Sequence, residues 1–249
     1  MALIAMAVYD TVENQRSKYT EATLKCLAET VTDDRIIIVD NASCEETKEL
    51  LKASPFEVIT NTKNVGTAKA INQAWAFKET KQHLVKMDND VDIHYYEWVK
   101  ELEEAIDRDN QIGIIGLKRK DLLENPFRND IYKSELRMLP HSIGQRWIVV
   151  EDVQHVIGTC QMYNYRLIDK IGGMMQPGIY GFDDALAAVR CQVSGFVNCF
   201  LPHIEIEHID TGENIYQKEK ERLALNDMSE YNRLKTDLLT GRLNPFVKL

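Results

Sequence analysis

At 249 residues the chain has the length of one large α/β domain, and 44% hydrophobic against 28% charged residues is the balance of a globular protein with its own core. No stretch approaches the roughly 20 apolar residues of a membrane span, and a net charge of -9 gives no general attraction to phosphate backbones or anionic lipid. Five cysteines without a C-x-x-C pair argue against a disulfide framework or a thiolate zinc site, which leaves small-molecule or carbohydrate substrates favoured.

In chain order, the apolar start over residues 3–8 lacks a basic leader and predicts a buried strand rather than a signal peptide, so a cytoplasmic location is expected. Further strands are predicted at 35–39, 57–60, 83–87 and 112–116, with helices at 19–30, 44–53 and 67–80 between them. This alternation signals a mostly parallel sheet flanked by helices. After Gly116 the character changes. Residues 118–121 and 125–130 read as loop, and strands at 147–153 and 155–163 are close enough in sequence to pair antiparallel with each other. Residues 214–239 are charged and helix-prone, ahead of a short tail.

The clearest chemical signal is His83-Leu84-Val85-Lys86-Met87-Asp88-Asn89-Asp90, a strand-like run ending in carboxylates at i and i+2. In extended backbone such a pair points the same way. Open α/β sheets bind ligands beyond the carboxyl ends of their strands, where paired acids can hold a hard cation and its phosphates. A bare D-x-D is more often a solvated acidic turn, so the weight comes from its company. Asp40 ends another apolar strand in Asp40-Asn41-Ala42-Ser43, either as a turn residue or as a ligand-facing acid. Asn64-Val65-Gly66 through Asn72 is a polar turn running into a helix of small residues, which allows close backbone approach to a ligand or tight packing on the sheet.

Asp183-Asp184 opens an apolar helix, where acids suit the helix dipole and where one could also serve as a general base. His208 alternates with apolar residues on a predicted strand; a lone histidine is usually structural, but neutral imidazole is also a common metal ligand. Trp147, Tyr163, Tyr180 and Phe182 are aromatic candidates for stacking on an acceptor, or for the core.

Taken in this order, the segments from Leu3 to His208 resemble the family 2 glycosyltransferases of the GT-A fold. The resemblance implies an α/β GT-A domain over 1–210, with a nucleotide-sugar half at 1–116 and an acceptor half at 117–210 with smaller antiparallel character; residues 211–249 lie outside it and read from their own charged, helix-prone pattern as a C-terminal helical extension. It further implies a metal-dependent, inverting transfer from a nucleoside-diphosphate sugar, a UDP-sugar by preference, to a hydroxyl acceptor such as a saccharide or glycoconjugate. Asp40 would read the nucleotide base, with Val8, Tyr9, Asn64, Gly66, Asn72, Asp88 and Asn89 around the donor. Asp88, Asp90 and His208 would hold Mn2+ or Mg2+, Asp184 would be the catalytic base, and Asp183 beside it would orient the helix start or contact the acceptor. The first strand departs from the family pattern, reading Ala7-Val8-Tyr9-Asp10-Thr11 where the family typically has Pro-Thr-Tyr-Asn or a close variant, so that the Tyr is kept and the Pro is not. The rivals are a phosphatase of the haloacid dehalogenase type, which shares a strand-terminal D-x-D but gives Asp40 and Asn64 no role, and a non-catalytic carbohydrate-binding protein that has kept the fold.

Overall fold

The computed structural model describes residues 1–121, 135–210 and 215–249. Among them the first four strands are β1 (Leu3–Val8), β2 (Arg35–Asp40), β3 (Glu57–Thr60) and β4 (Leu84–Met87). They are followed by the short β5 (Val91–Asp92), β6 (Ile112–Arg119), β7 (Glu135–Pro140), β8 (Trp147–Val153), β9 (Cys160–Tyr163) and β10 (Val197–His208). The helices are α1 (Ser17–Thr30), α2 (Glu45–Ala53), α3 (Thr67–Trp75), α4 (Trp98–Arg108), α5 (Tyr165–Ile171), α6 (Asp183–Val193) and α7 (Ile215–Leu239).

One sheet runs β3-β2-β1-β4-β9-β6-β10-β8-β7, with β5 paired to β10 off this path. The pairs among β1 to β4 are parallel, as is β6 with β10; β9 is antiparallel to both β4 and β6. The alternation of β1 explains the layering. Ile4, Met6 and Val8 enter one core with Leu24 and Leu27 of α1 and Trp98 and Leu102 of α4, while Leu3 and Ala5 enter the other with Ile71, Ala74 and Trp75 of α3 and Leu167 of α5. Helix α4 buries Trp98, Val99, Leu102, Ala105 and Ile106 along one stripe, at about 1.5–3 kcal/mol for each large apolar side chain removed from water.

Three expectations change. The strands at 147–153 and 155–163 do not pair with each other: β8 lies between β7 and β10, and the second strand is only β9, inserted between β4 and β6. All of Cys160-Gln161-Met162-Tyr163 is buried, which suits a central strand rather than a hairpin arm. The hairpin partner of β8 is β7, which no apolar run announced, because Leu136 and Met138 are exposed and Arg137 turns inward to Asp152 and Asp109. Residues 118 and 119 belong to β6, with Lys118 paired to Glu151; the loop expected at 125–130 lies outside the described residues. Helix α3 stops at Trp75, short of the expected 80.

Candidate active site

A cavity of about 1210 Å³ opens beyond the carboxyl ends of β1 and β4. Ala7, Val8 and Tyr9 from the end of β1 line it, with Asp88, Asn89 and Asp90 after β4, the 157–159 loop, the 179–184 turn, His208 at the end of β10, and the first turns of α7.

The segment after β4 is held by a buried polar network. Asp90 Oδ2 accepts from Arg16 Nη2 at 2.7 Å and stands 3.2 Å from His208 Nε2. Arg16 Nη1 bonds Asp210, and Nη2 also reaches Asn89 Oδ1 at 3.3 Å. Asn89 Nδ2 donates to Asp10 Oδ1 at 3.0 Å and to Thr20 Oγ1 at 2.7 Å, so the middle residue of the motif anchors it to α1 and to the end of β1. Burial pushes the Asp90 carboxyl upward, but the hydrogen bond and charge of His208 and the charge of Arg16 outweigh it and hold the acid well below the usual carboxylate range. Asp10 shows the reverse balance: burial raises it in spite of Thr20 and Arg16.

Asp88 turns elsewhere. β4 ends at Met87, so the two acids are not on extended backbone, and Asp88 Oδ1 accepts from Lys86 Nζ at 2.5 Å. Lys86 is buried in β4 and also bonds the Gly158 carbonyl; burial works against its charge, and Asp88 and Asp183 restore it and raise its pKa. A Cβ on residue 158 would come within 2.9 Å of Lys86 Nζ and 3.2 Å of Asp184 Cβ, so glycine is what lets the backbone pass between them.

The acidic pair sits at the start of α6, behind a turn in which Gly181 and Phe182 both have positive φ, 79° and 63°. A left-handed phenylalanine is disfavoured by about 1–2 kcal/mol. Its ring is stacked on Tyr231 of α7 with centroids 4.4 Å apart, which holds the turn in place. Asp184 Oδ2 accepts from the Gly158 N–H at 2.9 Å and lies 3.2 Å from His155 Nε2, while Oδ1 accepts from the Ala185 N–H at 2.7 Å. Burial would raise Asp184, but the closely approaching His155 outweighs it and the acid is lowered. Asp183 is different: its Oδ2 is buried without a hydrogen-bond partner, with Lys86 Nζ 3.9 Å away, and burial pushes its pKa up to about 6.

Of the residues singled out from sequence, Val8, Tyr9, Asn64, Asp88, Asn89, Asp90, Asp183, Asp184 and His208 all line the cavity. Asp40, Gly66 and Asn72 do not. Asp40 is buried, with Oδ1 accepting from the Ser43 N–H at 2.8 Å and Oδ2 unpartnered. Gly66 takes φ 90° at the start of α3 and donates to Asn64 Oδ1 at 2.9 Å. Asn72 is a clamp: its side chain exchanges hydrogen bonds with the N–H and carbonyl of Met174, at 2.7 and 3.0 Å. Among the aromatic candidates Tyr180 lines the cavity, Tyr163 is core against Trp75, Phe182 is covered by Tyr231, and Trp147 is exposed away from the lining. Sequence reasoning missed Arg16, Lys86 and Lys220; a lysine inside an otherwise apolar strand was a usable signal for Lys86, whereas nothing local marked the other two.

Among the described residues no three His, Cys, Asp or Glu side chains are gathered as a ready-made metal cage. The donor set nevertheless fits one hard cation. Asp90 Oδ1 is buried with no hydrogen-bond partner, and His208 approaches the other oxygen of the same carboxylate. Small divalent ions bound with phosphates take one or two protein carboxylates, leaving the remaining positions to water and substrate oxygens.

A family model described as glycosyl transferase family 2 matches residues 4–172. No curated protein sequence matches the chain. Among solved structures, the mannosyltransferase PcManGT from Pyrobaculum calidifontis, in complex with GDP-Man and Mn2+, is 15% identical, with a TM-score of 0.66 over 93% of this chain and 64% of that one. S. aureus TarS 1-349 is 16% identical, with a TM-score of 0.62 over 96% of this chain and 71% of that one. GalNAc-T7 with UDP, GalNAc and Mn2+ is 13% identical, with a TM-score of 0.59 over 93% of this chain and 50% of that one. These likenesses show the fold, which is GT-A, and the chain spans less than two thirds of the length of PcManGT. No helix among the described residues is long and apolar enough to cross a membrane.

Proposed function

Given that the chain belongs to glycosyl transferase family 2, we propose that it is a metal-dependent, inverting glycosyltransferase that moves a sugar from a nucleoside-diphosphate sugar, UDP-linked by preference, to a hydroxyl acceptor. The observation that carries this reading is the single cavity shared by Asp88, Asp90 and His208 on one side and Asp183 and Asp184 on the other. One set suits a cation on a diphosphate, and the other suits the proton of an acceptor.

Val8, Tyr9 and Asn64 line the donor end. Asp40 is itself off the cavity lining but adjoins Asn41, which is on it, and its unpartnered Oδ2 would accept a hydrogen bond from a nucleotide base that reached it. Asp88, Asp90 and His208 would hold Mn2+ or Mg2+, whose chemistry here is to offset charge on the departing diphosphate. Asp184, aimed by the Gly158 N–H and by His155, takes the proton of the acceptor hydroxyl as that oxygen bonds the anomeric carbon. The bond from the anomeric carbon to the diphosphate oxygen breaks on the opposite face, its electron pair leaving with the diphosphate. Such a displacement inverts the anomeric centre. One specific observation favours a second reading of the base: Asp183 has the unpartnered Oδ2 and a pKa near 6, suited to accepting a proton.

The test of the function is a hydrolysis and melting screen of sugar nucleotides with and without manganese. Ligand at 100 times its dissociation constant adds about 2.7 kcal/mol, or roughly 5 to 11 °C for a chain of this size. A nucleoside diphosphate with metal is expected to give that shift and adenine dinucleotides none. A shift with tungstate, and none with any nucleoside diphosphate, would transfer the site to phosphatase chemistry.

A further inference from the structure

Helix α7 follows the segment that carries the cavity acids, and its first turns lie against the cavity. Tyr216, Lys220 and Leu223 recur at i, i+4 and i+7 on one helix face, and all three line the cavity. The far end of the helix is fixed to the protein: Leu238 is buried with Leu186 and Val189 of α6, and Tyr231 stacks on Phe182 beside the acidic pair. The helix therefore spans from a packed anchor to the donor site.

Lys220 is the unusual member of this face. Its side chain is 14% exposed, its Nζ is 3.8 Å from Asp210 Oδ2, and it lies over the rings of Tyr216 at 4.7 Å and Tyr180 at 5.7 Å. The Asp210 oxygen it approaches is already bonded by Arg16, whose guanidinium lies over the same Tyr216 ring, 5.1 Å from its centroid. Two cations thus share one carboxylate oxygen and one aromatic ring. Burial, and then the charge of Arg16, draw the lysine below its ordinary pKa, the direction expected of an ammonium with too little negative charge around it. An anion entering the cavity would complete its coordination.

We propose that α7 is the roof of the donor site and that Lys220 binds the diphosphate of the nucleotide sugar. This rests on the nucleotide-sugar reading above and deepens it. The lysine holds the phosphate oxygens from the helix side, and a cation held by the Asp88–Asp90 segment would offset their charge from the sheet side. As the bond to the anomeric carbon breaks, the charge gained by the leaving diphosphate falls next to an ammonium that is already in place and poorly hydrated, so the interaction strengthens toward the transition state. Asp210 has a positioning role, holding Lys220 beside Arg16 at the edge of the cavity.

The experiment is titration of the full-length chain, with manganese present, using whichever of UDP, GDP and CDP the wild type binds best, together with the matching nucleoside as a competitor. Lys220→Met is expected to weaken the diphosphate by about 10- to 100-fold, the loss of one charge-assisted hydrogen bond. Nucleoside binding should be unchanged, and Lys220→Arg should recover most of the diphosphate affinity. The ligand-free melting temperature of Lys220→Met reports whether the fold survives. Equal diphosphate affinity in wild type and Lys220→Met overturns the proposal and leaves Lys220 as a partner of Asp210 alone. A parallel loss of nucleoside binding also overturns it, since the roof rather than its charge would then matter. A wild type that binds none of the diphosphates overturns both this proposal and the nucleotide-sugar reading.

Discussion

The two acidic motifs of the cavity are built in opposite ways. Around Asp88-Asn89-Asp90, Arg16, His208, Lys86, Asp10 and Thr20 fix the three side chains from four different segments, and the Asp90 charge is matched by Arg16 although its Oδ1 keeps no hydrogen bond. At Asp183-Asp184 one carboxylate is pinned by Gly158 and His155, while its neighbour keeps a buried oxygen with no hydrogen bond. A network with its charges matched gives a rigid floor on which a ligand can be positioned. A charge left short of partners is costly to the fold and available for chemistry.

The largest expected effect tests the reactive side of this contrast. Asp184→Asn keeps the shape and the Gly158 contact but removes the proton acceptor, and turnover is expected to fall by about 10²- to 10⁴-fold. Donor affinity should stay within a factor of two to three, because a base acts in the transition state. Steady-state rates alongside nucleotide titration would check this. If Asp183→Asn is the dead variant and Asp184→Asn turns over normally, the base belongs to the residue with the unpartnered oxygen.

How much of this could be read from the sequence follows the same division. β1 and β3 fall where their apolar runs end, and the D-x-D, the acidic pair and His208 were visible because each is a short pattern at the end of a regular element. Arg16 was invisible: it sits in the turn before α1 and meets Asp90 and Asp210 only through tertiary folding, 74 and 194 residues away in sequence. Lys220 was hidden for a different reason, since a helix rich in charge reads as a solvated face and only the folded chain shows which side it lays on the cavity. β7 escaped because Glu135, Arg137 and Pro140 break up its apolar residues, of which Leu139 is buried while Leu136 and Met138 are exposed. Asn72 went the other way: a motif residue near small side chains looked ligand-facing, and its amide proves to be consumed by the Met174 backbone.

The rigid side is tested by Arg16→Met, which retains the length of the stem and removes the charge. Asp90 and Asp210 would be left buried without the guanidinium, with only His208 and Lys220 beside them, a loss of about 3–5 kcal/mol for a broken buried ion pair. A urea melt at pH 7.5 measures it directly. Manganese should recover part of the loss by replacing the charge at Asp90, and a variant as stable as wild type without metal would show that the floor is not held by this network.

The smallest effect is the pH dependence that Asp183 imposes, and its sign is fixed by the direction of the shift. The carboxyl is raised from its ordinary 3.8 to about 6 in the folded chain, so the folded state binds this proton more tightly than the unfolded state does. The stability it contributes is complete below pH 4 and is lost as the pH climbs through 6, where the group ionises with no hydrogen bond to Oδ2 and only Lys86 Nζ, 3.9 Å away, to offset the charge. Asp183→Asn cannot ionise. It is therefore expected to be more stable than wild type at pH 7.5, by about 1 to 3 kcal/mol, and to lose that advantage at pH 4. Lys86 keeps Asp88 and the Gly158 carbonyl in the variant, so its own charge remains compensated. Urea melts of the two proteins at pH 4, 6 and 7.5 make the comparison. A gain of equal size at pH 4 and pH 7.5 would mean that ionisation of Asp183 is not what burdens the fold, and the contrast between a matched floor and an undercompensated acidic pair would fail at its most specific point.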